Sequence, residues 1–104
     1  MSEIVFMALS SGANPEIHTA TIGTPSYELK VVVVPDYASA KEQAKKMAKD
    51  GAKFIELCGG FGFEGVAEIK KVVPNICIGV VRFDVHPGMN NQSGDIAYGR
   101  KEGI

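Results

Sequence analysis

Along the chain, unbroken apolar runs alternate with amphipathic stretches, and this order predicts strands followed by helices. Ile4–Leu9 is short, wholly apolar and contains Val and Phe, as expected of a strand covered on both faces. Glu28–Val34, with its Val31 to Val34 run, reads as a second strand ended by Pro35-Asp36. From Tyr37 the period becomes helical: Tyr37, Ala40, Ala44, Met47 and Ala48 share one face, while Lys41, Glu42, Lys45, Lys46 and Lys49 lie elsewhere. Asp36 is the expected N-cap, Ser39 with Glu42 also has capping-box spacing, and Gly51 ends the helix. A third strand is expected over residues 53–58 and a second helix over 63–73, burying Val66, Ile69 and Val73. Pro74-Asn75 ends that helix, and residues 76–83 form the fourth strand.

Two segments fit this rhythm less well. Ser10-Ser11-Gly12-Ala13 break the first strand, and Asn14-Pro15 has the form of an N-cap followed by proline at the first helical position. A short helix is therefore expected over 16–21, against the β-branched Ile17, Thr19, Thr21 and Ile22. Beyond Asp84 the periodicity is lost. Residues 1–86 are thus expected to form a single α/β domain, a four-stranded, mostly parallel sheet with right-handed βαβ crossovers. An open sheet is favoured, with a half-barrel as the alternative because a polar Glu56 would suit a barrel interior. Residues 87–104 read as a polar Gly/Asn-rich tail that needs something to lie against, and a neighbouring subunit is the expected support.

Composition narrows the function classes. Eleven Lys and Arg against twelve Asp and Glu, with no basic block, argue against a nucleic-acid partner. The longest apolar runs fall far short of a membrane span and no leader pattern opens the chain, so a cytoplasmic protein with no membrane partner is expected. Cys58 closes one strand and Cys77 opens the next, which sets them at opposite ends of a parallel pair, too far apart for a disulfide.

In an open parallel sheet the carboxyl ends of the strands share one rim, where ligands collect. Here that rim holds Ser10, Ser11 and Gly12; Pro35 and Asp36; Cys58, Gly59 and Gly60; and Asp84, Val85 and His86. Cys58, ahead of a helix N-terminus, is a candidate nucleophile with His86 as its base; the plainer reading is a small buried hydrophobe. Glu56 inside an apolar strand is either a general base or the structural partner of Arg82, for which Asp84 competes. Gly59, Gly60 and Gly62 offer main-chain donors for an anion, with Arg82, Asp84, Asp36 and Ser11 as further ligand contacts, or else form only a tight turn. The loop matches neither the P-loop nor the dinucleotide fingerprint. His18 reads as a solvated residue. Metal ligation by His18, His86, Asp84 and Cys58 lacks any motif spacing, so no metal site is expected, and no cofactor is indicated.

Several phrases carry a resemblance. Gly12-Ala13-Asn14-Pro15-Glu16 with His18, Thr24-Pro25-Ser26-Tyr27-Glu28-Leu29, Val34-Pro35-Asp36-Tyr37, Glu56-Leu57-Cys58-Gly59-Gly60-Phe61-Gly62 and Gly79-Val80-Val81-Arg82-Phe83-Asp84 together resemble a family of small, mainly prokaryotic proteins without an assigned activity. The likeness covers about residues 4–86 and implies a stand-alone α/β domain; it transfers no catalytic residue. A weaker likeness links residues 51–62 to one strand-and-loop unit of phosphate-binding barrels. Two function classes follow: a protein binding a small anionic metabolite, phosphate- or carboxylate-bearing, at the strand-end glycine loop with thiol or acid/base chemistry available, or a non-catalytic domain that self-associates into a homo-oligomer.

Overall fold

The computed structural model describes residues 4–99. They form a single α/β domain built on one open sheet, with strands β1 (Ile4–Leu9), β2 (Thr19–Gly23), β3 (Glu28–Val34), β4 (Phe54–Leu57) and β5 (Cys77–Val80), and helices α1 (Tyr37–Lys49) and α2 (Phe63–Val72). The strand order is β2-β3-β1-β4-β5. β1 pairs in parallel with β3 and β4, and β4 with β5, whereas β2 runs antiparallel to β3 at the edge.

The sheet therefore has five strands rather than four, and the additional one replaces the helix expected over 16–21. Asn14 does start a turn: its side chain accepts from the Glu16 N–H at 3.0 Å and its carbonyl accepts from the His18 N–H at 2.8 Å. The turn stops there. The β-branched residues that follow favour extended backbone, and β3 offers an unpaired edge on which Thr19 pairs with Val32 and the Thr19 hydroxyl donates to Val31 O. Thr24 closes the hairpin, donating both its N–H and its hydroxyl to Tyr27 O.

The remaining elements follow their local signals. Asp36 caps α1 by accepting from the Ser39 N–H at 2.8 Å, and Gly51, at φ +97°, turns the chain after its last turn. Both helices lie on one face of the sheet and pack on each other, with Lys41 bridging to Glu68 at 3.1 Å. Beneath them Val5, Met7, Val32, Val34, Ile55 and Leu57 are closed to solvent. Strand register places the alternate residues on the other face: Phe6 beside Val31 and Glu56, and Phe54 beside Ile4 and Cys77. Neither helix covers that face. Cys58 and Cys77 are free thiols at opposite ends of the β4–β5 pair.

β5 ends at Val80, short of the predicted 83, because Arg82 and Phe83 leave the ladder. The Arg82 guanidinium lies over the Phe63 ring at 3.7 Å, and Phe83 packs toward Gly59. The polar segment then forms a 3₁₀ turn at Pro87–Met89, an antiparallel bridge between His86 and Gln92, and a π-helical turn at Asp95–Gly99. That last turn packs on α1 and α2 of its own chain, with Tyr98 stacked against Tyr37. For this part of the tail, α1 and α2 supply support that was expected from a neighbouring subunit; residues 100–104 lie outside the described residues. No helix among the described residues is long and apolar enough to cross a membrane.

Candidate functional site

The carboxyl ends of β1, β3, β4 and β5 share one rim, and the exits differ in direction. β3 and β4 lead into α1 and α2, while β1 leads to edge strand β2. Such a divergence opens a crevice at the strand ends, the usual ligand position in open α/β sheets. A cavity of about 270 Å³ occupies it, lined by Ser10, Ser11, Gly12, Ala13, His18 and Val33. Ser10 O accepts from the Ala13 N–H at 3.0 Å, and Gly12 has φ +81°. This is the geometry of a type II turn, which glycine at its third position allows. Among the described residues, the N–H groups of Ser11 and Gly12 have no partner. His18 Nδ1 accepts from the Asn14 N–H at 2.8 Å, which leaves Nε2 as the proton-bearing nitrogen of the neutral ring. The lining thus offers hydroxyls, free amides and an imidazole N–H, and no carboxylate.

The Gly60, Phe61 and Gly62 N–H donors of the glycine loop are engaged within the chain. Cys58 Sγ accepts from the Gly60 N–H at 3.4 Å and from the Leu9 N–H at 3.3 Å. Tyr37 Oη accepts from the Gly62 N–H at 2.9 Å and donates to Asp95 Oδ1 at 2.8 Å. Asp95 in turn accepts from the Glu64 N–H at 3.0 Å and the Gly65 N–H at 2.9 Å. The positive end of α2 is therefore neutralised by a carboxylate from the C-terminal segment. Burial pushes the Tyr37 phenol well above its ordinary value and the Asp95 carboxylate adds to this, while the Gly62 N–H acts in the opposite direction. Gly94 presses so closely that an added Cβ would lie 1.5 Å from Gly60 O.

The structure brings some of the anticipated residues together. His86 and Phe83 form a tilted pair with centroids 4.7 Å apart, and both rings lie over Gly59, next to Cys58. His86 Nδ1 accepts from the Gly88 N–H at 2.9 Å. Other residues go elsewhere. Asp36 is committed to its cap, and Asp84 accepts from the Val85 N–H at 2.7 Å in an exposed turn. Glu56 stands exposed on the helix-free face and Arg82 faces α2, so the expected Glu56–Arg82 pair does not form; the Asp84–Arg82 alternative is likewise absent among the described ion pairs. Among the described residues no cluster of three His, Cys, Asp or Glu side chains could hold a metal. Sequence reasoning did not assign functional roles to Tyr37, Asp95, Gly94 or His18. Asp95 beside Gly94 and just before Tyr98 was the signal for a docked tail, an isolated acid next to an aromatic anchor.

A family described as a family of unknown function (DUF6506) matches residues 2–96. The chain belongs to that family. The match extends through Asp95, so the DUF6506 region includes the docked segment as well as the sheet and helices. No curated protein and no solved structure matches the chain.

Proposed function

We propose that this DUF6506 protein binds a small anionic metabolite, phosphate- or carboxylate-bearing, in the crevice where β1 leaves the sheet. One observation carries the reading: the cavity is lined by donors and by no carboxylate, with two successive unpartnered amides at Ser11 and Gly12 and the His18 imidazole beside them. Unpartnered turn amides, hydroxyls and an imidazole N–H are each donors that a phosphate or carboxylate can take. The glycine loop contributes from the next strand. Its Cys58 sulfur is bonded to Leu9, one residue before Ser10, and His86 lies beside Gly59, so a thiol and an imidazole border the same rim for nucleophilic or proton-transfer work.

Amide and imidazole NMR spectra recorded during titration with a panel of phosphorylated and carboxylated metabolites test this. Saturable shifts are expected at Ser11, Gly12 and His18 but not at Glu64 or Gly65, with His18→Ala weakening the best ligand about tenfold, the equivalent of one lost hydrogen bond. Saturable shifts centred on Glu64 and Gly65, or none with any member of the panel, would refute the site.

A further inference from the structure

α1 and α2 lead into β4 and β5, so both helices end over the amino ends of those strands, at the pole of the domain opposite the β1 crevice. A second cavity, of about 360 Å³, lies between the helix ends, lined by Lys45, Ala48 and Lys49 of α1 and by residues 72–76. Its volume falls among those of small-molecule pockets. We propose that it binds a small organic acid with an apolar body, the carboxylate held at Lys45 and Lys49 and the body laid against Val72, Val73 and Ile76. This inference is independent of the proposed anion site.

Shape and charge carry it together. On one wall Val73 and Ile76 are buried and Val72 is half-buried, and the wall is fixed in place. Pro74 and Asn75 occupy a turn closed by the Ile76 N–H donating to Val73 O at 3.1 Å, and the Lys70 ammonium donates to Ile76 O at 2.7 Å. A wall built in advance leaves little ordering cost for a ligand. On the other wall Lys45 and Lys49 stand one helical turn apart, so their stems share a side of α1 and can bring two ammonium groups to one mouth.

Basic residues in a last turn ordinarily complement the helix dipole. In α1 the chain already serves that end: Lys46, Met47 and Ala48 carbonyls accept from the N–H groups of Asp50, Ala52 and Gly51. Nor are the two cations neutralised. Lys45 meets Glu42 at 3.6 Å in an exposed pair of little worth, and Lys49 enters neither of the ion pairs among the described residues. No carboxylate lines the cavity, so the complementary charge has to come from outside. The apolar wall decides what carries that charge, because a bare inorganic anion would lose hydration against it and gain no contact in return.

Methyl NMR of the full chain, titrated with octanoate and with its neutral counterpart octanol, tests the site. Saturable shifts are expected at Ala48, Val72, Val73 and Ile76, with octanol binding about tenfold more weakly, the worth of two exposed charge contacts. The double variant Lys45→Gln, Lys49→Gln, both at exposed positions, should keep the wild-type circular dichroism and hold octanoate no better than octanol. Equal affinity of the wild type for the two probes overturns the proposal, as does the absence of saturable shifts at millimolar octanoate. Octanoate shifts confined to Ser11, Gly12 and His18 also overturn it while upholding the β1 crevice, so the two sites fail separately.

Discussion

A Cβ on Gly62 would lie 2.5 Å from the carboxylate carbon of Asp95, so the residue at the N-cap position of α2 and the residue that caps the helix are different residues. Gly62 has extended backbone, at φ −81° and ψ −175°, which any residue adopts. It is held to glycine by space alone. Asp95 fills that space together with the Ser93 hydroxyl, and it bonds the amides of Glu64 and Gly65, the same two positions that a local Ser or Asp cap would serve.

This arrangement predicts a reversal of sign. By local propensity Gly62→Ser should be slightly stabilising; here it expels Asp95 and should cost about 1–3 kcal/mol, since a buried network is broken. Asp95→Ala removes the cap and leaves the Tyr37 hydroxyl proton without its acceptor, for a loss of about 2–4 kcal/mol. In the Asp95→Ala background, however, only the rotatable Ser93 hydroxyl still meets the added Cβ and the amides of α2 lack a cap, so Gly62→Ser should cost clearly less than it does in wild type. Urea unfolding of the four proteins completes the cycle, and additive costs would show that Gly62 and Asp95 are not coupled.

Tyr37 ties the same network to alkaline pH. Burial first, and then Asp95, hold its folded value well above the ordinary 10.0. A raised folded value gives stability that is whole below the unfolded value and declines above it, because the unfolded chain ionises while the folded one stays neutral. The urea midpoint should therefore fall from about pH 10 upward, more steeply in wild type than in Tyr37→Phe, which lacks the titrating group. Parallel slopes in the two proteins would remove Tyr37 from the account.

Where the chain declared itself, the signal was local. The Val31 to Val34 run, Asp36 ahead of Ser39, and Gly51 after Lys49 each state their element within a few residues, and each forms where expected. β2 was hidden because every one of its residues is exposed, so no alternation marks it, and Asn14-Pro15 imitates a helix start for a single turn. Asp95 was hidden for another reason. The glycine loop was legible as a place for a carboxylate, but which carboxylate is a long-range fact, decided by the fit of Gly94 against Gly60. His18 is exposed, as the sequence reading had it, but its place in a cavity with Val33 and Ser10 was not legible, because only the unexpected β2 brings those neighbours to it.

Gly94 and Gly12 should separate steric from conformational need. A Cβ on Gly94 meets backbone, Gly60 O at 1.5 Å, so Gly94→Ala must lift the tail from the loop. The expected loss is about 2–4 kcal/mol, with proteolytic nicking after Gln92 becoming fast. At Gly12 nothing lies within 4 Å of an added Cβ, but φ is +81°. Gly12→Ala should cost only about 1 kcal/mol, and Gly12→Asn less, because Asn tolerates that conformation. A larger loss at Gly12 than at Gly94 would contradict both assignments.

Cys58 can be tested as an acceptor rather than a hydrophobe. Its sulfur takes the Leu9 N–H at 3.3 Å and the Gly60 N–H at 3.4 Å, bonds that turn the side chain over the end of β1. Cys58→Ala leaves both amides without a partner in a half-buried setting, for about 1–2 kcal/mol, and their hydrogen exchange should accelerate together. Cys58→Ser keeps an acceptor and should retain protection at one of the two amides at least, so the stability order is Cys, Ser, Ala. If the thiol acts only as a small apolar filler the order inverts, because alanine is tolerated where a buried hydroxyl is not, and exchange at Leu9 stays as in wild type. The inversion would detach Cys58 from the rim chemistry and leave the β1 crevice as the site's only reactive edge.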